Sequence, residues 1–276
     1  MTVEHDSNRP IWALPQPAER KPRYTRDQIA DVALRLADQE GFEAVTMKRI
    51  AAELGAGTMT LYYYVRNKTD IVALMQDAIL AEVIVPADEL PTGWRDAAAA
   101  IARRTRQVLM AHPWSMSSLN DAQFGPNAMR HMEQSLTAMA GTGLSGQARL
   151  ELLAVVDNYV FGNALHSIET LDRARAAQAN PGMVTAVIEY SVTLLQTGEF
   201  PELNALYQAG ASGAERGVEG EPEGEAEGRA EDEAAGPPMA EASLEAAFER
   251  GLQALLDGIA ARWGLASGAT DATARP

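Results

Sequence analysis

The residues best equipped for chemistry in this chain lie in one short run: Thr58, Met59, Thr60, Leu61, Tyr62, Tyr63, Tyr64, Val65, Arg66, Asn67 and Lys68. On a helix starting near Thr58 and running to about Tyr64, Leu61 and Val65 stand one turn apart and face a core. Thr58, Met59, Tyr62 and Tyr63 then cover the opposite side. That side carries hydroxyls, aromatic rings and a thioether, and Lys48, Arg49, Arg66 and Lys68 flank it. Hydroxyls donate to phosphates or base edges, methyl-bearing side chains touch thymine methyls, and lysines fix register on a sugar-phosphate backbone. The set suits a nucleic-acid groove better than water, although spacing alone also fits tyrosines that cap a small core. Nothing comparable points to catalysis. His5, His112, His131 and His166 show no metal-ligand spacing, and the sequence has neither a phosphate-cradling glycine loop nor a nucleophile elbow. No enzyme activity, metal or cofactor is expected.

Elements that position this run are legible on both sides of it. Thr25 followed by Gln28 has capping-box spacing, and Ile29, Val32, Ala33 and Leu36 form one apolar stripe of a helix to about Glu40. Gly41 ends that helix. Thr46 opens a second, with Ile50, Ala51 and Leu54 inward, and Gly55, Ala56 and Gly57 make the turn into the run. Asn67 caps a fourth helix with Ile71, Leu74, Met75, Ala78 and Ile79 on its buried side. Two short helices joined by a glycine turn are the helix-turn-helix arrangement.

Charge supports the same division. The net charge of −15 is wrong for a uniform nucleic-acid binder, but Arg20 to Lys68 carries nine Lys/Arg against six Asp/Glu. A locally basic head on an acidic body remains able to bind, because screening confines each charge to about 8–10 Å. Cysteine is absent, which removes disulfides and thiolate chemistry. Met1 to Asp6 lacks a basic stretch leading into an apolar run, so no signal peptide is expected, and apolar stretches such as Ile79–Val85 are far shorter than the roughly 18 residues of a membrane span. A soluble, cytoplasmic protein is expected.

Thr46, Lys48, Arg49, Ile50, Ala51, Leu54, Gly55, and then Thr60 through Lys68 resemble the amino-terminal signature of the TetR-type repressors, continuously from about Thr25 to Met75. The resemblance implies roles for residues. Thr46 would touch phosphate, Lys48 would reach backbone or a base edge, and Arg49 would belong to the same DNA-binding set. Thr58, Met59 and Thr60 would open the recognition helix against bases. Tyr62 and Tyr63 would pack on the sugar-phosphate, Lys68 would hold another phosphate, and Tyr64 stands where the family commonly has a histidine. Arg20, Lys21, Arg23 and Arg26 would add backbone or minor-groove contacts, or lie in a solvated arm. The expected fold is all-α: a flexible arm over 1–22, a three-helix helix-turn-helix DNA-binding domain over 23–70, and a helical ligand-binding and dimerisation domain over 71–264.

That second domain shows helical stripes over Trp94–Met110, Pro126–Met139, Gly146–Leu171 and Gly182–Gln196. Its run from Leu109 to Trp114, its Gly125–Met129 stretch and its closing helix resemble the tetracycline-repressor branch of the family. The branch implies an effector pocket, with Trp114, Phe124, Met129, Met132, Asn158, Phe161 and His166 as candidate linings. It also implies a twofold helical bundle, for which Leu244, Phe248, Leu252, Leu255 and Ile259 are a candidate seam, though the same stripe fits an intramolecular core. The His-Gly-Thr-Arg stretch that binds the metal–drug complex in true tetracycline repressors is missing near Ser117–Phe124, so neither tetracycline nor magnesium is inferred. Residues 210–238, rich in Gly, Glu, Ala and Pro, read as a disordered acidic insertion, and 265–276 as a tail. The expected partners are double-stranded operator DNA, a small hydrophobic effector and a second copy of the chain, with no membrane. A module of this fold that binds small molecules or proteins without regulating through DNA is the alternative.

Overall fold

The computed structural model describes residues 9–15, 23–118, 124–216 and 237–266. Among them the regular elements are helices: α1 (Arg26–Glu40), α2 (Met47–Glu53), α3 (Thr58–Leu61), α4 (Lys68–Val83), α5 (Trp94–Ala111), α6 (Trp114–Ser117), α7 (Pro126–Ala138), α8 (Gly146–Ala179), α9 (Pro181–Leu195), α10 (Pro201–Arg216) and α11 (Pro237–Trp263), with a few 3₁₀ turns. The chain divides into two compact units, one of residues 1–168 with 247–276 and the other of 169–246. None of the described helices is long and apolar enough to cross a membrane.

Local chemistry starts and stops the first helices as the sequence demands. Thr25 and Gln28 close a reciprocal capping box on α1, at 3.1 and 3.0 Å. Thr46 accepts the Arg49 amide at the start of α2. Gly55, at φ 64, ends α2 in the left-handed region, and the Ala56 amide reaches back to the Ala51 carbonyl at 2.8 Å. Any side chain at Gly55 would strain that turn.

One core joins α1 through α4. Ile29, Val32 and Leu36 of α1 pack with Ile50, Leu61, Ile71, Leu74 and Met75, each buried aliphatic contributing roughly 1.5–3 kcal/mol. A second core in the same unit combines Ala98, Ala102 and Leu109 of α5 with Leu152, Val156 and Val160 of α8 and Phe248, Leu252, Leu256 and Ile259 of α11. The unit of residues 169–246 is different in character. It leaves Met183, Val187, Ile188 and Tyr190 of α9 and Leu203, Leu206 and Tyr207 of α10 exposed.

Part of the segment read as a flexible arm is built into the first core. Ile11 is fully buried, and Ile11–Ala13 form a 3₁₀ turn. The Arg26 guanidinium holds this strap by donating to the carbonyls of Ile11, Leu14 and Pro15, and its Nε donates to the carbonyl of Tyr64. Arg66 donates to the Arg9 carbonyl at 3.0 Å and grips Asp70 through two side-chain bonds of 2.7–2.8 Å. Burial pushes the Asp70 carboxyl up, yet the Arg66 hydrogen bonds and both nearby guanidinium charges outweigh it and hold the group below its ordinary range. An apolar Ile-Trp pair inside a proline-rich arm was the available signal; counting prolines alone hid it. Arg20 and Lys21 lie outside the described residues, as do 217–236 of the acidic insertion and 267–276 of the tail. The flanking residues 210–216 and 237–238 continue α10 and α11, and Leu265 packs against the second core.

Arg26→Met should strip four carbonyls of a shared donor and release the strap. We expect a loss of about 2–4 kcal/mol in urea unfolding and faster proteolysis before Arg26. Wild-type stability in this variant would mean that the strap contributes nothing to the core.

Candidate nucleic-acid interface

The α3 helix and the turn after it present the run that dominates the sequence. α3 itself is one helical turn, Thr58–Leu61. Tyr63 and Tyr64 continue it with i−3 bonds to Thr60 and Leu61, at 3.2 and 2.8 Å. The helix expected to reach Tyr64 therefore tightens into a 3₁₀-like turn, because Val65 is drawn into the core and Asn67 must cap α4 directly afterwards.

The outward side of this turn carries Met59 at 75% exposure, Tyr62 at 49% and Tyr63 at 77%, with Thr58 and Thr60 half-buried beside them. Thr46 and Lys48 are exposed on α2. Arg49 is exposed but pairs with Glu40 and Glu53, so part of its charge is neutralised within the chain. Lys68 starts α4 with its ammonium 4.5 Å from the centroid of the Phe42 ring, which fixes the side chain at the edge of the same face. Tyr64 departs from expectation. It is buried at 6% exposure, packs edge-on against Tyr24 with centroids 6.4 Å apart, and its hydroxyl oxygen accepts the Tyr24 amide. Tyr24 in turn donates its hydroxyl to the Leu54 carbonyl at 3.0 Å. The i+3 offset from Leu61 turns Tyr64 inward, so it supports the face from beneath. Arg26, expected on a solvated arm or on phosphate, is likewise interior.

The candidate effector residues do not converge. Trp114 stacks on Phe42 at 5.8 Å, and its indole N–H donates to Asp38 of α1 at 2.8 Å, with His112 Nδ1 2.9 Å from the same carboxylate. It is a joint between α1 and the α5–α6 corner. Asn158 and His166 are exposed on α8, Phe124 and Met129 are exposed, and Met132 and Phe161 pack on the second core. A period of eight residues on one helix places Asn158 and His166 on one face, but that face is the outer one. The candidate seam is also displaced. Phe248, Leu252 and Ile259 are buried within the chain against α5 and α8, while Leu244 and Leu255 are half-buried.

Other features of the helical half were not anticipated. Ser115 Oγ and His131 Nδ1 are buried without a hydrogen-bond partner among the described residues. Burial lowers the His131 imidazole from its ordinary value and pushes the Asp157 carboxyl up to about 6. A cleft of about 980 Å³ runs between the 84–94 connection and α7, lined by Leu90, Trp94, Met129 and Glu133 among others. Among the described residues no three His, Asp or Glu side chains gather as a metal site.

Comparison with known proteins accords with this geometry. Residues 29–75 match the family described as bacterial regulatory proteins, tetR family, and residues 86–218 match the tetracyclin repressor-like C-terminal domain. The HTH-type transcriptional repressor DrrR1 of Streptomyces coeruleorubidus is 34% identical over 67% of this chain and 70% of its own length. An HTH-type transcriptional regulator of Saccharopolyspora erythraea is 34% identical over 55% of this chain and 65% of its own. Among solved structures, the Streptomyces coelicolor TetR family protein ActR in complex with actinorhodin superposes with a TM-score of 0.62 at 25% identity, over 89% of this chain and 99% of that one. Fold and reading face define a helix-turn-helix DNA-binding regulator. The chain belongs to the TetR family of transcriptional repressors.

Tyr64→Ala should cost about 3–5 kcal/mol in chemical unfolding, whereas Tyr63→Ala should stay within about 0.5 kcal/mol of wild type. Equal losses would show that the two rings are not divided between core and surface. A second expectation concerns pH. The fold favours neutral Asp157, so the stability this group adds is full below its ordinary value of 3.8 and falls away as pH rises through about 6. Asp157→Asn should flatten the melting profile between about pH 4 and 6.5 and raise Tm above it; an unchanged slope would place the carboxyl in water.

Proposed function

We propose that two copies of this chain form a dimer whose reading heads enter successive major grooves of a near-palindromic operator, and that a small hydrophobic effector releases it. The observation that carries this reading is the outward face of Met59, Tyr62 and Tyr63, between Lys48 and Lys68. Rings and a thioether exposed to water beside two ammonium groups add little to the chain's own core. On duplex DNA, Thr58, Met59 and Thr60 meet base edges, Tyr62 and Tyr63 lie along sugar-phosphate, and Thr46, Lys48, Arg49 and Lys68 fix register. Tyr64 acts only through its packing. In this reading the head comprises residues 23–70 with the 9–15 strap attached, and the remaining helices to Trp263 hold effector and partner.

Dimerisation is supported by the outer sides of α8 and α11. α8 leaves Leu150, Val155 and Leu165 exposed, with Asn158 and Gly162 between them, and α11 shows Ala247, Ala254, Gly258 and Ala261. Small residues beside apolar ones let two helices approach closely. A twofold pairing through these faces sets the heads about one helical turn of DNA apart. The effector reading is supported by Ser115 Oγ and His131 Nδ1, because buried polar atoms without partners among the described residues are what a ligand's own polar groups satisfy. ActR's complex with actinorhodin supports a small organic molecule as the class.

Gel-shift titration against duplexes selected from a randomised pool is the test. Wild type should select a near-palindrome, and Lys68→Ala should reduce the salt slope by about one phosphate contact. Tyr62→Ala should weaken binding by roughly tenfold, a loss of about 1.4 kcal/mol. Failure to select any duplex at low salt would overturn the reading.

A further inference from the structure

We propose that the buried junction at Gly125, where Trp12 of the strap and Asp77 of α4 close on the start of α7, is the coupling point between the effector half and the reading head. The inference rests on the DNA-binding reading and goes beyond it by naming the residues that carry the signal.

Three pieces of chain meet there at the closest approach the backbone permits. A Cβ on Gly125 would fall within 2.6 Å of Trp12 Cζ2 and closer still to the Asp77 carboxylate. Only glycine lets the pieces close. Asp77 is buried, and its carboxylate accepts the amides of Asn127 and Ala128, each at 3.0 Å, while the Asn127 side chain donates to the Asp77 carbonyl at 3.1 Å. This charge sits at the positive end of α7, where two otherwise unmade amide bonds converge on it. Farther along α7, the Gln134 amide clasps Val85 by both its N–H and its C=O, at 3.1 and 2.7 Å. α7 is therefore bolted to α4 and its continuation at two points. A retreat of α7 by an ångström would strand a buried carboxylate, so α4 must follow it.

The strap supplies the second half of the path. Beside Trp12, Ile11 is plugged into the head core, and the strap carbonyls share the Arg26 guanidinium with the carbonyl of Tyr64. Tyr64 underlies the exposed turn of Tyr62 and Tyr63. A displacement at Gly125 reaches the reading face through two routes, one along α4 and one through Trp12, Ile11 and Arg26. The strap's contact with α7 is local. A cleft of about 590 Å³, lined by Leu14, Asp31, Ala81, Asn127 and Arg130 as well as Trp12, opens beside it. Replacing Trp12 therefore cuts one route while leaving the Asp77 cap in place.

Because coupling between two sites is reciprocal, DNA binding at the head must be felt at α7. Hydrogen exchange of the full-length protein, free and bound to a duplex that the wild type selects from a randomised pool, reads this directly. In wild type, duplex binding should slow exchange over residues 126–134 by about threefold or more. Trp12→Ala should bind the duplex within about threefold of wild type and show that slowing clearly reduced, with the remainder carried by the α4 route, while Trp12→Phe, which keeps an aromatic edge at Gly125, should retain it in full. A structural role alone would change stability and leave the duplex-dependent difference intact. Slowing that is undiminished in Trp12→Ala, or wild-type α7 that ignores a bound duplex, overturns the junction while the DNA-binding reading stands. If wild type selects no duplex, the DNA-binding reading itself falls, and the junction falls with it.

Discussion

Enclosure of α4 is the constraint on which the rest of the unit depends. The helix buries residues around almost its whole circumference, from Asp70 and Ile71 through Asp77 to Val83, yet three of those residues are polar. Each is satisfied by a different neighbour. Asp70 is held by Arg66 beside the strap, Gln76 donates to the Ser115 carbonyl and Ser118 hydroxyl, and Asp77 caps α7. A buried polar group without its partner is unfavourable by about 1–3 kcal/mol, more if charged. The neighbours of α4 are thus fixed in position by its polar side chains as much as by its apolar ones.

The reading face shows the complementary design. Its exposed part is short, a single turn of helix and a tightened continuation, and one turn of isolated helix has almost no intrinsic stability. Rigidity comes from below: Leu61 and Val65 in the core, Tyr64 locked against Tyr24, and Tyr24 tied to the Leu54 carbonyl at the end of α2. The Schellman turn at Gly55 and the Arg26 bond to Tyr64 complete the frame. Met59, Tyr62 and Tyr63 are thus exposed on a backbone held in place from beneath, and such preorganisation lowers the ordering cost of binding a partner.

The second core assigns faces to α8 and α11. Phe248 stacks on Tyr159 with centroids 5.6 Å apart, and the Tyr159 hydroxyl donates to the Phe248 carbonyl at 2.8 Å. Arg95 and Arg103 of α5 pair with Asp257 and Glu249 of α11, which fixes the rotation of α11 about its axis. Once that rotation is set, the large apolar stripe of α11 is spent on the chain's own core. What remains outside is a stripe of alanines and glycine suited to close helix contact.

The sequence alone determined whatever depends on neighbours within a few residues. Caps at Thr25, Thr46 and Asn67, the glycine turn at Gly55, the helical stripes and the exposed side of Thr58–Tyr63 all follow from local hydrogen bonding and helical period. Tertiary structure decided which of two plausible faces meets which neighbour. Tyr64 and Arg26 are basic-head residues by sequence and interior residues by packing. Phe248 and Leu252 form a stripe that fits either an intersubunit seam or an internal core. Trp114 became a joint to Asp38, 76 residues away, and Ile11 found its socket through carbonyls that carry no side-chain signature. Periodicity reports that a face is apolar; only the partner's shape and the balance of buried polar groups report what covers it.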